Sequence, residues 1–295
     1  MRYLVMKKND LKKIKIIKMF LDSQMWLKIR PWIYCYGAPF PVVVRNKREL
    51  RKLKDKYKGK RCFIMGNGPS LKPEDLELLK GEYCFGQNKI YKIFSQTSWR
   101  PTFYCVQDFE VMDEMGEELS DYVNESKMIF VRMFGYSKMH EVLKDVSRKT
   151  FYVPILSQDI KKMKSFDEIG FSVDASKFIY DGNTVTYMSM QLAAYMGFEQ
   201  IYLVGMDFTF PIVVDSNHNL ISHNNVDAHF YESKDEYETK TQKYDILHGM
   251  PREIQLGAYE SAKKYAEDSH LFKIYNSTRG GELEVFERKG LDAII

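Results

Sequence analysis

Short apolar runs alternate with helical patterns along the chain from residue 60 onward. The runs predict strands at Arg61–Met65, Tyr83–Gly86, Thr102–Gln107, Met128–Arg132, Thr150–Val153, Gln200–Gly205 and Leu271–Tyr275, with a turn into a last strand at Glu282–Phe286. Apolar residues that recur every three to four positions predict helices from Pro73 and at Val111–Val123, Met139–Val146, Thr184–Met196 and residues 251–268. We therefore expect an α/β fold with a Rossmann-like, mostly parallel sheet and helices on both faces.

Residues 7–30 show a different pattern, with an apolar stripe from Leu11 to Met25 and lysines between its members. The spacing predicts an amphipathic basic helix that ends before Pro31, and a second basic helix follows at about residues 46–58. The first helix has two interpretations. It binds an anionic membrane surface, or it packs on the main domain or on another subunit with a solvated lysine face. No nucleic-acid partner is expected, because the basic residues form no recognised nucleic-acid module.

The balance of basic and acidic residues also changes near residue 60. Residues 1–60 carry 18 Lys or Arg and four Asp or Glu, whereas the remaining residues carry 26 and 36. We therefore predict a basic helical extension at residues 1–59 and one Rossmann-like domain at residues 60–295.

Localisation is read from apolar length and from cysteine usage. No apolar stretch approaches the ~20 residues that a membrane-spanning helix needs, and lysines interrupt any signal-peptide core. The four cysteines form no CxxC pair, which favours buried free thiols in a reducing compartment. We expect a cytoplasmic protein, with the basic helix offering peripheral attachment to the inner face of the cell membrane.

The motif Gly66-Asn67-Gly68-Pro69-Ser70 lies between the first predicted strand and a helix. Glycine tolerates backbone conformations and close ligand contacts that a side chain would block. A turn in this position can direct N–H groups and a helix dipole at an anion such as phosphate. The turn lacks the third glycine of the dinucleotide fingerprint and the GK[ST] ending of a P-loop. A plain tight turn is therefore the alternative.

Two more segments are expected at the same edge of the sheet. Asn183 or Thr184 is a natural N-cap of the helix that follows, and an N-cap at this edge can also bind phosphate. Asp207 comes just after an apolar strand, at the carboxyl end where ligands bind in open α/β sheets. We expect both segments to line a ligand site.

Residues 207–250 are polar and show little periodicity, which predicts an active-site lid or a disordered loop. The segment contains the polar or titratable side chains His218, His223, Asp227, His229, Tyr231 and Asp235. They suit metal binding, general acid–base catalysis or plain solvation. The spacing lacks the regularity of a zinc site, so we predict no metal site.

Several segments resemble bacterial proteins of the DUF115 family, which are commonly described as 6-hydroxymethylpterin diphosphokinase MptE-like. They are the glycine turn extended to Leu71, Gln87–Tyr91, Met196–Asp207, Val226–Phe230 and Ile274–Thr278. The likeness extends in order over residues 60–290. Members often accompany surface-polysaccharide genes.

The same segments are similar to the CMP-sialic-acid-dependent bacterial sialyltransferases. That resemblance implies that Asn67, Ser70 and Asn88 contact the nucleotide and that His229 is the base for the acceptor hydroxyl. Gln107 corresponds to an asparagine at the end of the third strand in those enzymes. The implied reaction is a metal-independent, inverting displacement at the anomeric carbon of a CMP-activated sugar. Thr209 stands where those enzymes have a tyrosine, which leaves the donor sugar open.

The predicted site therefore combines a catalytic residue with a set of nucleotide-binding residues. The catalytic residue is His229, and the binding set is Gly66, Asn67, Gly68, Ser70, Asn88, Gln107, Asn183, Thr184 and Asp207.

Three functions fit these observations. The leading one is a transferase that uses a nucleotide-activated sugar, CMP-linked by resemblance, and a glycan or lipid-linked acceptor, with no further cofactor. The second is an ATP-dependent diphosphokinase that acts on a pterin-like alcohol and needs Mg²⁺. The third is a non-catalytic nucleotide-binding scaffold. A homo-oligomer is compatible with each.

Overall fold

The fold is that of a computed structural model. It describes residues 41–108, 111–112, 115, 125–133, 150–158, 163, 165, 168–210, 212–214, 220–222, 227, 229–231 and 251–295. The strands are β1 (Arg61–Met65), β2 (Cys84–Gln87), β3 (Phe103–Val106), β4 (Met128–Arg132), β5 (Thr150–Val153), β6 (Ile155–Leu156), β7 (Ile179–Tyr180), β8 (Gln200–Val204), β9 (Ile212–Val214), β10 (Leu220–Ser222), β11 (Lys273–Asn276) and β12 (Glu287–Arg288).

Four α-helices and two 3₁₀ helices lie in the described residues. They are α1 (Pro41–Arg51), α2 (Pro73–Leu78), α3 (Val185–Tyr195) and α4 (Pro251–Ser269), with 3₁₀ helices at Asn88–Ile93 and Leu291–Ala293. Proline opens α2, where its fixed φ suits the first helical turn and its missing N–H costs nothing. Thr184 caps α3 through its side chain.

Eight strands form one sheet in the order β12-β11-β8-β1-β2-β3-β4-β5, and every neighbouring pair is parallel. The chain moves outward from β1 to β5 and then returns to β8 on the opposite side of β1. The strand order therefore reverses between β1 and β8. In open α/β sheets a ligand crevice forms outside the carboxyl ends of the strands at such a switch point.

The sheet separates two apolar layers. Alternate residues of a strand point to opposite faces, so Ile64 packs in one layer and its neighbours Phe63 and Met65 pack in the other. The first layer includes α3, whose residues from Thr186 to Ala193 are buried. This packing places the first turn of α3 at the carboxyl edge of the sheet.

The predicted parallel α/β fold is confirmed. The internal strands match the predicted ones to within about two residues at each end, and α3 and α4 match to one. The last strand was predicted wrongly at Glu282–Phe286, because Leu283 and Phe286 are buried from an irregular segment and β12 follows them. The second basic helix was also placed too late, since α1 already ends at Arg51.

The predicted lid is not irregular throughout, because β9 and β10 pair as an antiparallel hairpin inside it. The amphipathic helix at residues 7–30, most of Val111–Val123 and all of Met139–Val146 lie outside the described residues. Among the described cysteines, Cys62, Cys84 and Cys105 are buried free thiols.

The predicted division at residue 60 stays a prediction, because residues 1–40 are outside the described part of the chain. Residues 41–59 pack on the α/β domain. Leu50 and Leu53 join its core, and the Asn46 side-chain amide exchanges two hydrogen bonds with the backbone of Tyr152 on β5.

In the described part of the chain, no helix is both long enough and apolar enough to cross a membrane.

Candidate functional site

A cavity of about 400 Å³ lies at the carboxyl edge of the sheet. It crosses the ends of β8, β1, β2, β3 and β4 and reaches the first turn of α3. Its walls are formed by Gly66, Asn67, Gly68, Gln87, Asn88, Gln107, Asp108, Arg132, Asp181, Asn183, Thr184, Val185, Thr186, Gly205, Met206, Asp207, Phe208, Thr209, Phe210, His229, Gln255, Tyr259 and Leu283. The cavity therefore occupies the crevice at the switch point of the sheet.

The structure brings together all but one of the predicted site residues. Ser70 is the exception, since it does not belong to the cavity wall. Sequence reasoning missed several residues that reach the cavity from other segments, namely Asp108, Arg132, Gln255 and Tyr259. Asp181, at the start of the turn before α3, also lines the cavity.

Three N–H groups of the glycine turn donate within the protein and not to the cavity. The amide of Gly66 donates to Val204 O (2.7 Å) and the amide of Gly68 donates to Gly205 O (2.9 Å). The amide of Ser70 donates to Asp207 Oδ1 at 3.2 Å. The helix that follows is also short, because α2 has six residues and starts only at Pro73. The turn is thus joined to the end of β8 by the donors that phosphate would need.

Packing against the end of β8 explains why the turn needs glycine. Neither Gly66 nor Gly68 has a positive φ, so the left-handed conformation is not the reason. A Cβ on Gly66 would lie 2.1 Å from Gly205 O, and one on Gly68 would lie 1.9 Å from Asp207 Oδ2. Close approach of two backbone segments leaves no room for a methyl group.

Asp207 is buried, with 7% of its surface exposed. Its carboxylate accepts hydrogen bonds from the Ser70 hydroxyl (2.7 Å, to Oδ2) and from the Ser70 amide. Burial raises the pKa of Asp207 above its ordinary value, although the two Ser70 donors oppose that rise. Ser70 therefore supports Asp207 and is not placed to contact a ligand in the cavity.

Asn67 and Asn88 each carry a buried side-chain oxygen. Nδ2 of Asn67 donates to Gln87 O at 3.1 Å, which fixes the amide orientation and leaves Oδ1 as the remaining group. Neither Asn67 Oδ1 nor Asn88 Oδ1 has a hydrogen-bond partner among the described residues. A buried oxygen without a donor is unfavourable by about 1–3 kcal/mol. Two such oxygens in the wall of one cavity fit a ligand that donates N–H or O–H groups.

Gln87 connects this wall to α3. Its Oε1 accepts from the Thr186 hydroxyl and its Nε2 donates to Ser189 Oγ, both at 3.0 Å. Because Gln87 O also accepts from Asn67, the end of β2, the glycine turn and the first turns of α3 hold one another in place. Gln87, Thr186 and Ser189 are buried, so this connection fixes the geometry of the cavity.

The first turn of α3 is supported from α4. Thr184 Oγ1 accepts from the amide of Thr186 at 3.3 Å. Gln255 Nε2 donates to Asn183 O at 3.2 Å. Tyr259 is buried beside the two threonines, and burial raises the pKa of its hydroxyl. These contacts fix a helix N-terminus against the cavity, where its dipole favours an anion.

Charged and polar groups cluster at the β4 end of the cavity. Asp181 Oδ2 lies 3.3 Å from Arg132 Nη1 and accepts from the Ser157 hydroxyl at 3.1 Å. Asp181 Oδ1 accepts from Gln107 Nε2 at 2.9 Å and from the Asn183 amide at 3.1 Å. Gln107, predicted as a ligand contact, thus lines the cavity and also holds Asp181.

His229 reaches the cavity from the lid. The amide of Phe230 donates to Asn67 O at 2.9 Å, which ties the lid to the glycine turn next to the histidine. The His229 ring stacks on Tyr231 with centroids 5.1 Å apart. Nζ atoms of Lys89 and Lys92 lie 5.9 and 5.3 Å from the Tyr231 ring, so the 3₁₀ helix also contacts this part of the lid.

Left-handed backbone conformations concentrate at the cavity. Of the five non-glycine residues with positive φ in the described chain, three line it: Asn88 (45°), Asn183 (56°) and Phe208 (58°). Asparagine tolerates this region, whereas a bulky residue such as phenylalanine is strained there by about 1–2 kcal/mol. Strain of this kind clusters at functional sites, where the surrounding structure enforces it.

Within the described residues, no group of three or more His, Cys, Asp or Glu side chains could hold a metal ion.

Comparison with known proteins gives a matching family and a similar solved structure. The family described as 6-hydroxymethylpterin diphosphokinase MptE-like matches residues 42–213. The chain is also similar in structure to the MAf glycosyltransferase from Magnetospirillum magneticum AMB-1. The similarity covers 85% of this chain and 38% of that one, with 13% identity and a TM-score of 0.45. No curated protein sequence matches the chain.

The match to the family covers more than half of the chain and includes the glycine turn, the Asn88 segment, α3 and the end of β8. The chain belongs to the MptE-like family.

Proposed function

We propose that the protein is a glycosyltransferase that binds a nucleotide-activated sugar, CMP-linked in the first instance, in the cavity at the switch point. The observation that carries this proposal is the convergence of three features on one cavity. They are the two unpartnered asparagine oxygens, the first turn of α3 and the lid residue His229.

The asparagine oxygens suit the nucleoside part of the donor. Asn67 Oδ1 and Asn88 Oδ1 are acceptors, and cytosine offers an exocyclic amine while ribose offers hydroxyl donors. Such a group would donate hydrogen bonds to these two oxygens.

The donor phosphate is assigned to the first turn of α3. The helix has 11 residues, and Thr184 and Val185 line the cavity. Its dipole favours an anion at this end. Negative charge on the wall is partly compensated, because Asp181 is paired with Arg132 and Asp207 accepts two hydrogen bonds from Ser70.

His229 is the base in the proposed reaction. The acceptor hydroxyl oxygen attacks the anomeric carbon of the donor sugar while its proton passes to an imidazole nitrogen of His229. The bond from the anomeric carbon to the phosphate oxygen breaks, and its electron pair stays with the nucleotide that leaves. Attack opposite the leaving group inverts the anomeric centre. General base catalysis of this type contributes roughly 10²–10⁴-fold.

The experiment measures nucleotide release from a panel of CMP-, UDP- and GDP-linked sugars by the full chain, with simple glycosides as acceptors. We expect turnover with a CMP-linked donor that is insensitive to EDTA. His229→Ala should lower turnover by about 10²–10⁴-fold and leave CMP affinity nearly unchanged. His270→Asn is the matched control, because His270 is an exposed histidine outside the cavity wall. Release of no nucleotide from any donor would sink the proposal.

The family description supports a second candidate, transfer of diphosphate from ATP to a pterin-like alcohol. Three carboxylates, Asp108, Asp181 and Asp207, line the same cavity, and Mg²⁺ is commonly held by one or two carboxylates together with nucleotide phosphates. The alcohol oxygen would attack the β-phosphorus, and AMP would leave. AMP release that requires Mg²⁺ and stops with EDTA would select this function. CMP binding without turnover of any donor would select a scaffold.

A further inference from the structure

The cavity has two chemically different ends. The end at β2 to β4 and α3 holds the asparagine oxygens and the Arg132–Asp181 pair. The other end, beyond β8, is lined by Phe208, Phe210 and Leu283, which we call the aromatic end, and Tyr259 of α4 lies between it and the first turn of α3. Nothing in the proposed chemistry of the donor uses the aromatic end.

The length of the cavity leaves room for a second ligand. Its wall runs across five adjacent strand ends from β4 to β8. Adjacent strands are about 4.8 Å apart, so the two ends are roughly 19 Å apart. A nucleotide at the polar end would occupy only part of that span. The remaining part is the aromatic end.

The aromatic end is preformed. Phe208 holds its left-handed φ of 58° while its ring packs on Tyr259 with centroids 5.8 Å apart. Arg252 Cζ lies 5.4 Å from the Phe208 ring on another side. Phe210 meets Phe208 at 89°, with centroids 5.1 Å apart. Since a strained phenylalanine is retained only where the surrounding structure enforces it, these contacts position the rings.

His229 lies between the two ends. It lines the cavity, and the next residue in the chain, Phe230, is hydrogen-bonded to Asn67 on the turn after β1. β1 separates β2, on the polar side, from β8, on the aromatic side. A base in this position has the donor on its polar side. The acceptor, whose hydroxyl it deprotonates, would then bind on its aromatic side.

We propose that the aromatic end is the acceptor subsite and that it binds a carbohydrate ring. A sugar ring presents C–H groups on its faces and hydroxyls around its edge. Phe208 and Phe210 suit the faces, and the polar groups of Thr209 and Gln255 line the same part of the wall for the edge. Thr209 Oγ1 and Gln255 Nε2 donate to Asp227 O and Asn183 O, which leaves the oxygens of both side chains as acceptors for sugar hydroxyls. This inference rests on the proposed function and names its acceptor class.

The test uses binding alone. Saturation-transfer NMR is recorded on the full chain with methyl β-galactoside, methyl β-glucoside and methyl β-N-acetylglucosaminide, with and without CMP. Calorimetry with CMP is run on every variant. At least one glycoside should receive saturation at the C–H protons of one ring face. Phe210→Ala should weaken its binding by about 2- to 12-fold, Phe210→Tyr should restore it, and CMP affinity should not change.

Phe178→Leu is the control, because Phe178 is half-buried and outside the cavity wall. The inference is overturned if no glycoside receives saturation, or if Phe210→Ala leaves glycoside binding unchanged. It is also overturned if that variant loses CMP affinity instead, since the aromatic end would then hold the nucleotide. Failure of wild-type CMP binding with glycoside binding intact would instead count against the proposed donor.

Discussion

The glycine turn at residues 66–70 and the first turn of α3 both line the cavity, yet they are built for different tasks. In the glycine turn, the amides of Gly66, Gly68 and Ser70 donate to β8 carbonyls and to Asp207. At α3, the Thr184 side chain caps the helix, and Gln255 of α4 holds the first turn against the cavity through a hydrogen bond to Asn183 O. The glycine turn thus joins two strands, and we assign the anion to the first turn of α3.

The largest effect is expected from Gly68→Ala. The added methyl group would overlap Asp207 Oδ2 at 1.9 Å and Gly205 O at 2.8 Å, so we expect a loss of about 3 kcal/mol in unfolding free energy. Urea unfolding measures it. Gly290→Ala is the control, because a Cβ there meets nothing within 4 Å and its φ is −59°. Equal losses in the two variants would show that close packing is not what the turn requires.

Ser70→Ala should separate stability from ligand binding. It removes the hydroxyl that donates to the buried Asp207 Oδ2 at 2.7 Å, and the loss should be about 2 kcal/mol. CMP affinity, measured by calorimetry at a temperature where the variant is folded, should stay within about twofold of wild type. A tenfold loss of CMP affinity would show instead that Ser70 contacts the ligand.

At the first turn of α3, Thr184→Val should lower both stability and CMP affinity. The cap to the Thr186 amide is lost, which should lower stability by about 1 kcal/mol. CMP affinity should fall as well, because the helix end that we assign to phosphate is no longer held. Thr184→Ser keeps the hydroxyl and should restore both. An unchanged affinity in the valine variant would contradict the assignment.

Asp207→Asn should produce the smallest effect, a change in how stability depends on pH. Burial raises the pKa of Asp207 above 3.8, so the folded state binds its proton more tightly than the unfolded state. This stabilisation is complete below 3.8 and is lost as pH rises through the folded-state pKa. The difference in unfolding free energy between wild type and Asp207→Asn should therefore move against wild type as pH rises from 3.8. A difference that is constant with pH would contradict this.

Most of the fold could be predicted because its signals are local. Buried parallel strands are continuous apolar runs, and the helices between them repeat with helical spacing. β12 gave no such signal, because Glu287 and Arg288 are both exposed at the edge of the sheet. Leu283 and Phe286 gave an apolar pattern like that of a strand, although they bury their side chains from an irregular segment.

The site was predicted from two kinds of signal. Asp207 was found because it follows a strand, and parallel strands bring their carboxyl ends to one edge, whereas Asn88 and Gln107 came from the resemblance. Arg132 gave no distinct signal as the last residue of β4, and Gln255 and Tyr259 reach the cavity from the middle of a helix. The contacts of Gly66 and Gly68 with the end of β8 could not be predicted either. Glycine spacing shows that something approaches closely, but not whether it is a ligand or a neighbouring strand.

A crystal structure of the full chain with CMP tests the central claim most directly. We predict the phosphate within hydrogen-bonding distance of the Thr184 and Val185 amides, and the cytosine amine or ribose hydroxyls on Asn67 Oδ1 or Asn88 Oδ1. Phosphate bound by the amides of residues 66–70, or CMP bound outside the cavity, would contradict the account.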